Sequence, residues 1–592
     1  MAVSTNPDPV SVAPSPVVPS PVAPTRPPSA KDLRPRSLFT RGRERPRGVA
    51  WFGIRSFWGH AQHLIASAIA TEDIDSRDWM TADEPGVLAE RVGRLLGAQH
   101  SGRTLTERLG SDLWIDYIAD TGDDVAVSRS VARLLFAPYE VPDPERPGAY
   151  LVAPRGDILL FGGDTAYPVA TADEIQSRVV APFNQVLAER DDGKRRVVLG
   201  IPGNHDWYDG LDGFGRLFRR HLFEEGAHPT LHGANRTKVG RYAEFALQFF
   251  RGGHVGKPRT LNLLGYTPVQ SASYFLLPVA PRVPLLAVDR QLKRVDARQA
   301  FFFASFLNEN VGSSPWVVLP DPVYAFGVPS PTGVDSVESL GLSLGARPHL
   351  VMSGDIHHYR REEEGPTLHV TAGGGGAFLH PAPLVESGRR PALAEWPNAA
   401  QSRALLFQVP LKVMLVRSGL LPHAVFAVLL FPLVWPTRGA FHIGTFVAAW
   451  LMASAALALI GGARRRPAAV ILAMALAAII CGSCVALRYG FHVALPRLEP
   501  AVRFFIVPEV QLAAAAFVGA FLFGLYLVLL TLFGYENTQA FTALDHPGYK
   551  HFVRLRIRKD GSAVDGFCFG LVDPVKPSEG PFLVDVFTWK SH

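Results

Sequence analysis

Short apolar runs ending in polar, glycine-bearing loops dominate the middle of the chain. Ile115-Asp116-Tyr117-Ile118-Ala119, Ile158 to Phe161, Val197-Val198-Leu199 and His349 to Met352 each read as a buried strand. Val283 to Val288, Trp316 to Leu319 and Thr367 to Thr371 read the same way, while Ile175 to Leu187 and Arg298 to Leu307 carry a helical pattern. Residues 111–400 therefore predict an α/β layered domain with its site built from loops. Before it, Leu88, Val92, Leu95 and Leu96 mark a mainly helical extension over 49–110. After it, apolar stretches cover roughly Leu420–Trp435, Ala440–Ile460, Ala468–Leu487 and Leu512–Phe533. The last three have about the 20 residues a bilayer span needs, so 405–535 is expected to be a transmembrane region of about four helices. From 536 to 592 the pattern is soluble again. Phe552 to Arg558 alternates as a strand with a basic face, Asp560-Gly561 is a hairpin-type turn, and Gly566 to Leu571 is a partner strand. A small, separate, β-rich cytoplasmic unit is the expectation.

Composition adjusts this picture only at the edges. At 592 residues the chain needs more than one core. Residues 1–48, rich in Pro, Ser and Val and then Arg, cannot bury a core and read as a disordered arm. The formal net charge of +6 is too small to indicate a nucleic-acid partner. Three cysteines, Cys481, Cys484 and Cys568, make no disulfide framework, and the first two lie inside an apolar span where small packing residues are expected. No basic segment followed by an apolar core opens the sequence, so no cleavable leader is read there. With four spans, Lys412 and Arg417, the Arg464-Arg465-Arg466 triplet, and Lys550 through Lys559 fall on one side. The positive-inside rule makes that side cytoplasmic, although Arg488, Arg497 and Arg503 stand against it on the other. A multi-pass membrane protein with a cytoplasm-facing domain follows, with the lipid bilayer as one partner.

The chemistry lies at the strand ends. They carry Asp120-Thr121-Gly122-Asp123, Gly163-Asp164-Thr165-Ala166-Tyr167, Gly203-Asn204-His205-Asp206 and Gly354-Asp355-Ile356-His357-His358. Carboxylates, an amide, a phenol and imidazoles gathered at the carboxyl edge of a sheet suit hard metal ions better than a thiolate site would.

In order and wording these blocks resemble the calcineurin-like metallophosphoesterase superfamily. The first two are similar to its purple-acid-phosphatase variants, the last to its PhoD-type variants, and the longer wording to an uncharacterised, membrane-anchored branch. The resemblance spans roughly residues 111–380. It implies a four-layer α-β-β-α sandwich and two metal ions, iron at the first site and Mn, Zn, Mg or Ca at the second. It also implies hydrolysis of a phosphate mono- or diester by a metal-activated hydroxide. Carried onto matching positions, Asp164 bridges the metals and Asp120, Tyr167 and His357 complete the first site. Asn204 serves the second, with Asp355 standing where the pattern has a histidine. His205 sits just outside the metals and assists the leaving group. Asp123, Asp206, Asp321 and His358 are read as neighbours of the ligands. The pattern's fourth block calls for a histidine where this chain has Pro320, beside Asp321. That departure supports the alternative of a catalytically weak or inactive phosphate- or nucleotide-sensing domain coupled to the membrane region. A transporter with a regulatory head is disfavoured, because the spans carry few ionisable groups beyond His423 and His442.

Overall fold

The computed structural model describes residues 49–53, 81–220, 260–292, 294–434, 443–460, 467–494, 499, 502, 506–576 and 580–591. The arm at 1–48, residues 54–80 of the extension, His442, the Arg464–Arg466 triplet, Arg497 and Arg503 lie outside them.

Two seven-stranded sheets organise the α/β part. The first runs Phe582–Lys590, Ala563–Leu571, Lys550–Ile557, Leu113–Ile118, Ile158–Phe161, Arg196–Gly200, Tyr266–Pro268. Its last four strands are parallel. The second runs Ala394–Trp396, Tyr359–Glu364, Thr367–Ala372, Leu350–Ser353, Trp316–Leu319, Val283–Ala287, Phe275–Ala280, with its four adjacent strands from Thr367–Ala372 to Val283–Ala287 parallel. Parallel strands covered on both faces become continuous apolar runs, which is why the runs in the sequence are so uniform.

Alternation along each strand divides the residues between cores. Leu113, Ile115 and Tyr117 of the first sheet share one cluster with Leu285, Trp316, Val318, Leu350 and Met352 of the second. The opposite face of the first sheet (Leu159, Phe161, Val198) packs on Val131 and Leu135 of helix Val125–Leu135 and on Phe183 and Val186 of helix Ala181–Glu189. The opposite face of the second (Leu286, Val317, Val351) packs on Phe303 of helix Ala297–Glu309 and Val337 of helix Pro331–Ser339.

Two expectations about boundaries change. The stretch before residue 111 is part of the domain: Leu88, Ala89 and Val92 of helix Pro85–Leu95, with Leu105, lie in the central cluster. The C-terminal strands are no separate unit either. Lys550–Ile557 pairs antiparallel with Leu113–Ile118, in register Leu113↔Ile557 and Tyr117↔Val553, and so completes the first sheet. Its basic residues are internal rather than a face for lipid. Arg554, fully buried, binds Asp116 through Nε at 2.6 Å and Nη2 at 3.2 Å and donates to the carbonyls of Leu135, Ala137 and Ala153. Arg556 pairs with Asp112 at 2.6 Å and Arg558 with Asp565 at 2.8 Å. An alternating pattern of Arg and apolar residues marks an exposed face only when the sheet ends there. Here another strand and its acids cover it.

The apolar block forms helices Leu421–Val434, Ile443–Ile460, Pro467–Ala494 and Val507–Leu532. Among the described residues, two segments, Pro467–Phe491 and Val507–Leu532, are long and apolar enough to cross a membrane. The block is not tethered loosely. Val409 and Val413 pack with Phe523, Tyr526 and Leu527 in the same cluster that fills the space between the sheets. At Gly524 a Cβ would lie 2.6 Å from the Cα of Pro410, so only glycine permits this helix approach.

Candidate metal centre

Four strand ends, three from the first sheet's parallel set and one from the second's, meet at one place. Leu113–Ile118 leads to Asp120, Ile158–Phe161 to Asp164, Arg196–Gly200 to Asn204 and His205, and Leu350–Ser353 to Asp355 and His357. Backbone bonds weld these loops together: Asp120 N to Gly163 O at 3.1 Å, Thr121 N to Asp164 O at 3.0 Å, Tyr167 N to Gly122 O at 3.1 Å. The Asp355 N–H donates across the sheet-to-sheet gap to both oxygens of Asp120, at 3.2 and 3.0 Å.

Asp120, Asp164 and Asp355 all adopt left-handed backbone, with φ of 60°, 45° and 63°. That region costs a non-glycine residue about 1–3 kcal/mol, and strain of this kind collects at functional sites. Gly203 shows how tight the junction is, since a Cβ there would lie 2.1 Å from Asp164 Oδ1.

Around the Tyr167 hydroxyl the side chains converge. It donates to Asp120 Oδ1 at 2.9 Å, lies 3.3 Å from Asp164 Oδ2, and lies 3.1 Å from His357 Nε2. His357 Nε2 is in turn 3.5 Å from Asp120 Oδ1. The other ring nitrogen of His357, Nδ1, is held 2.7 Å from the carbonyl of Phe378, which leaves Nε2 to face the cluster. Counting only His, Cys, Asp and Glu, the described residues hold no group of three or more spaced to take a metal ion; here a phenol oxygen joins the set.

Electrostatics mark the same four groups. Burial, partly opposed by hydrogen bonds from Tyr167 and Asp355, pushes the Asp120 carboxyl up to about 8. Burial and then the charges of Asp120, Asp206 and Asp355 hold Asp164 well above the carboxylate range. Burial and the two carboxylates raise the Tyr167 phenol, while burial and Lys550 lower the His357 imidazole to about 3. Acids this crowded ionise together only beside a positive charge; a bound cation reverses the shifts of Asp120, Asp164 and Tyr167 and reinforces that of His357. Two carboxylates, a phenol and an imidazole fit one hard or borderline cation.

The other half is arranged differently. Asn204 Nδ2 donates to the Tyr208 hydroxyl at 3.0 Å. Asp321 is bound by Arg290 Nη2 at 2.9 Å. The Asp355 carboxyl is raised by burial and by the charges of Asp321 and Asp120. Pro320 occupies this edge, 3.6 Å from where a Gly163 Cβ would stand. The Asn204 amide oxygen stays free, but Pro320 supplies no donor and Asp321 is already neutralised by Arg290, so these residues fit a second metal poorly as they lie.

His205 sits between the halves. Its N–H donates to Asp164 Oδ1 at 2.9 Å, its ring packs 4.5 Å from that of Tyr167, and its Nδ1 lies 2.7 Å from the Pro168 carbonyl. The remaining predicted residues take other places. Asp206 fastens loops together, accepting from Gly203 N at 2.9 Å and Thr165 N at 3.3 Å. Asp123 accepts from Val49 N at 2.6 Å. His358 turns away from the cluster, stacking on Phe326 at 5.6 Å and standing 3.7 Å from Glu395.

Sequence reasoning missed several neighbours. His380 stacks on His357 at 4.3 Å and accepts its N–H at 3.0 Å. Fully buried Lys550 donates to the Ala377 carbonyl and reaches the site electrostatically from the C-terminal strands. Trp51 lies 5.6 Å from Tyr167 and 6.0 Å from His205, while the next residue, Phe52, exchanges backbone bonds with Ser418 and Leu421 at the start of the apolar block. Arg290 directly follows Asp289, a strand-end acid of the kind that flagged the others.

No protein-family model matches the chain, and no curated protein matches it. Among solved structures it is similar to one described as "GAP50 the anchor in the inner membrane complex of Plasmodium", at 11% identity over 48% of this chain and 78% of that one, with a TM-score of 0.26. A likeness that loose carries no argument.

Proposed function

We propose that the chain is a membrane-anchored, metal-dependent phosphoesterase of the calcineurin-like kind. The observation that carries this reading is the gathering of Asp120, Asp164 and His357 within 3.3 Å of the Tyr167 hydroxyl, from strand ends of both sheets. A cation held by these four would supply Lewis acidity toward a phosphoryl oxygen and toward a water.

The chain's own residues supply the rest. Asp164 reaches both ways, Oδ2 toward the first half and Oδ1 to the His205 N–H, so it fixes the His205 loop relative to the cation ligands. With the Nδ1 proton of His205 given to the Pro168 carbonyl, Nε2 is the nitrogen that exchanges a proton with substrate. As imidazolium it would protonate the leaving alkoxide, a contribution of about 10²–10⁴-fold. Trp51 and Tyr167 flank the imidazole, which stays partly open to solvent.

Placement at a membrane rests on the apolar helices. Strands before and after the block pair in one sheet, at Leu113↔Ile557, so both flanks lie on the same side and the number of crossings is even. Four spans with the domain on the cytoplasmic side satisfy that condition.

A catalytically weak phosphate-sensing domain is the second reading, favoured by Pro320 and by the closed Arg290–Asp321 pair. The test is hydrolysis of a chromogenic phosphate monoester and diester by the purified protein, with each divalent metal added in turn. Metal-dependent turnover lost in Asp120→Asn and His205→Ala supports the esterase. Metal binding without turnover supports the sensor.

A further inference from the structure

We infer that Arg290 stands in for a second metal ion, so the centre holds one metal and one fixed guanidinium. The inference rests on the reading that Asp120, Asp164, Tyr167 and His357 bind a cation.

The argument starts from what the second half contains. Next to Asn204 and Asp355, the chain offers a proline where the family pattern has a histidine, and an acid, Asp321, that the pattern does not assign to a metal. That acid is bound by Arg290 Nη2 at 2.9 Å, and the two side chains are 9% and 8% exposed. A buried carboxylate fully paired with a guanidinium is a poor ligand for a cation, because binding would first have to break the pair and strand the arginine charge.

Arg290 is also placed where a second cation would act. Its charge is felt at Asp355, Asp289 and Tyr208. The loop carrying it packs on the Asn204–Trp207 turn through a 2.9 Å bond from Trp207 Nε1 to Asp289 Oδ1. Nη1 donates to the Leu292 carbonyl at 3.3 Å, and the buried Nε–H has no partner. The Nε–H of a fixed fork is therefore left for an anionic oxygen, and guanidinium suits a phosphoryl group in shape as well as charge. A fixed guanidinium needs no metal supply and cannot be lost to a chelator.

The test counts ions in the full-length protein in detergent, stripped with chelator, reloaded with Mn²⁺, desalted and analysed by mass spectrometry for metal per chain. One Mn²⁺ per wild-type chain is expected, one in Arg290→Lys, and two in Arg290→Gln, where Asp321 is released to bind beside Asp355. Two ions per wild-type chain overturn the inference whatever the variants do, and leave the esterase reading standing. One ion in both wild type and a folded Arg290→Gln, checked by circular dichroism, also overturns it. No ion in the wild type overturns the metal reading itself, and this inference with it.

Discussion

The two halves of the centre come from the same kind of strand end yet are finished differently. On the Asp120 side, acids in strained backbone close on one another through Tyr167, and only hydrogen bonds and the Lys550 charge offset their crowding. On the Asn204 side, an arginine balances the acid beside it. A cluster short of positive charge calls for a cation, whereas one that carries its own positive charge does not. Whether a strand-end acid becomes a ligand thus depends less on the acid than on the basic residue in the neighbouring loop.

The largest expected effect separates the halves by activity. Asp120→Asn should lower metal-dependent phosphoester turnover by roughly 10²–10⁴-fold, the loss of several kcal/mol of Lewis-acid stabilisation. Asp321→Asn should cost no more than about tenfold, since it removes a partner of Arg290 and no ligand; steady-state kinetics on both variants measures the contrast. Equal losses would erase the distinction drawn here.

Next comes the foundation of the stronger half. Arg554→Met leaves the Asp116 charge buried and unpaired within the strand that aims Asp120, and should destabilise the protein by about 3–5 kcal/mol in denaturant titration. Removing Arg290 frees an acid nearer the centre's edge and should cost less.

A third contrast is in pH. In cation-free protein Asp120 holds its proton up to about 8 while the unfolded chain releases it near 4, so folding stability from this group is present below 4 and lost as pH rises to 8. His357, lowered to about 3, works oppositely: its penalty appears as pH falls below about 6.5. Between about 6.5 and 8 the Asp120 slope remains, reinforced in the same direction by the raised Asp164, Asp206 and Asp355 carboxyls, so melting temperature should fall with pH there, and added Mn²⁺ should flatten the slope. Smallest of all, Trp51→Ala should shift KM a fewfold with kcat little changed, because the ring packs edge-on against Tyr167 and His205 without supplying a donor of its own.

The strands were legible because buried parallel strands write themselves as unbroken apolar runs: Ile158–Phe161 and Trp316–Leu319 stand where the pattern put them. The four donors were legible because each follows such a run by one to six residues. Their juxtaposition was not, since Asp120 and Asp355 meet only through the face-to-face packing of two sheets, 235 positions apart in sequence. Arg554 read as surface because its acid, Asp116, lies 438 residues earlier, on a strand no local pattern links to it. Lys550 was counted as a membrane-orienting charge, and its burial beside the site depends on the same long-range pairing. Arg290 went unnoticed because attention followed the acids.

The most direct test is calorimetric titration of chelator-stripped protein with Mn²⁺, comparing wild type with Asp120→Asn. Saturable binding in the wild type that Asp120→Asn abolishes is the predicted result. Equal binding by both proteins would contradict the assignment of Asp120, Asp164, Tyr167 and His357 as the cation's ligands.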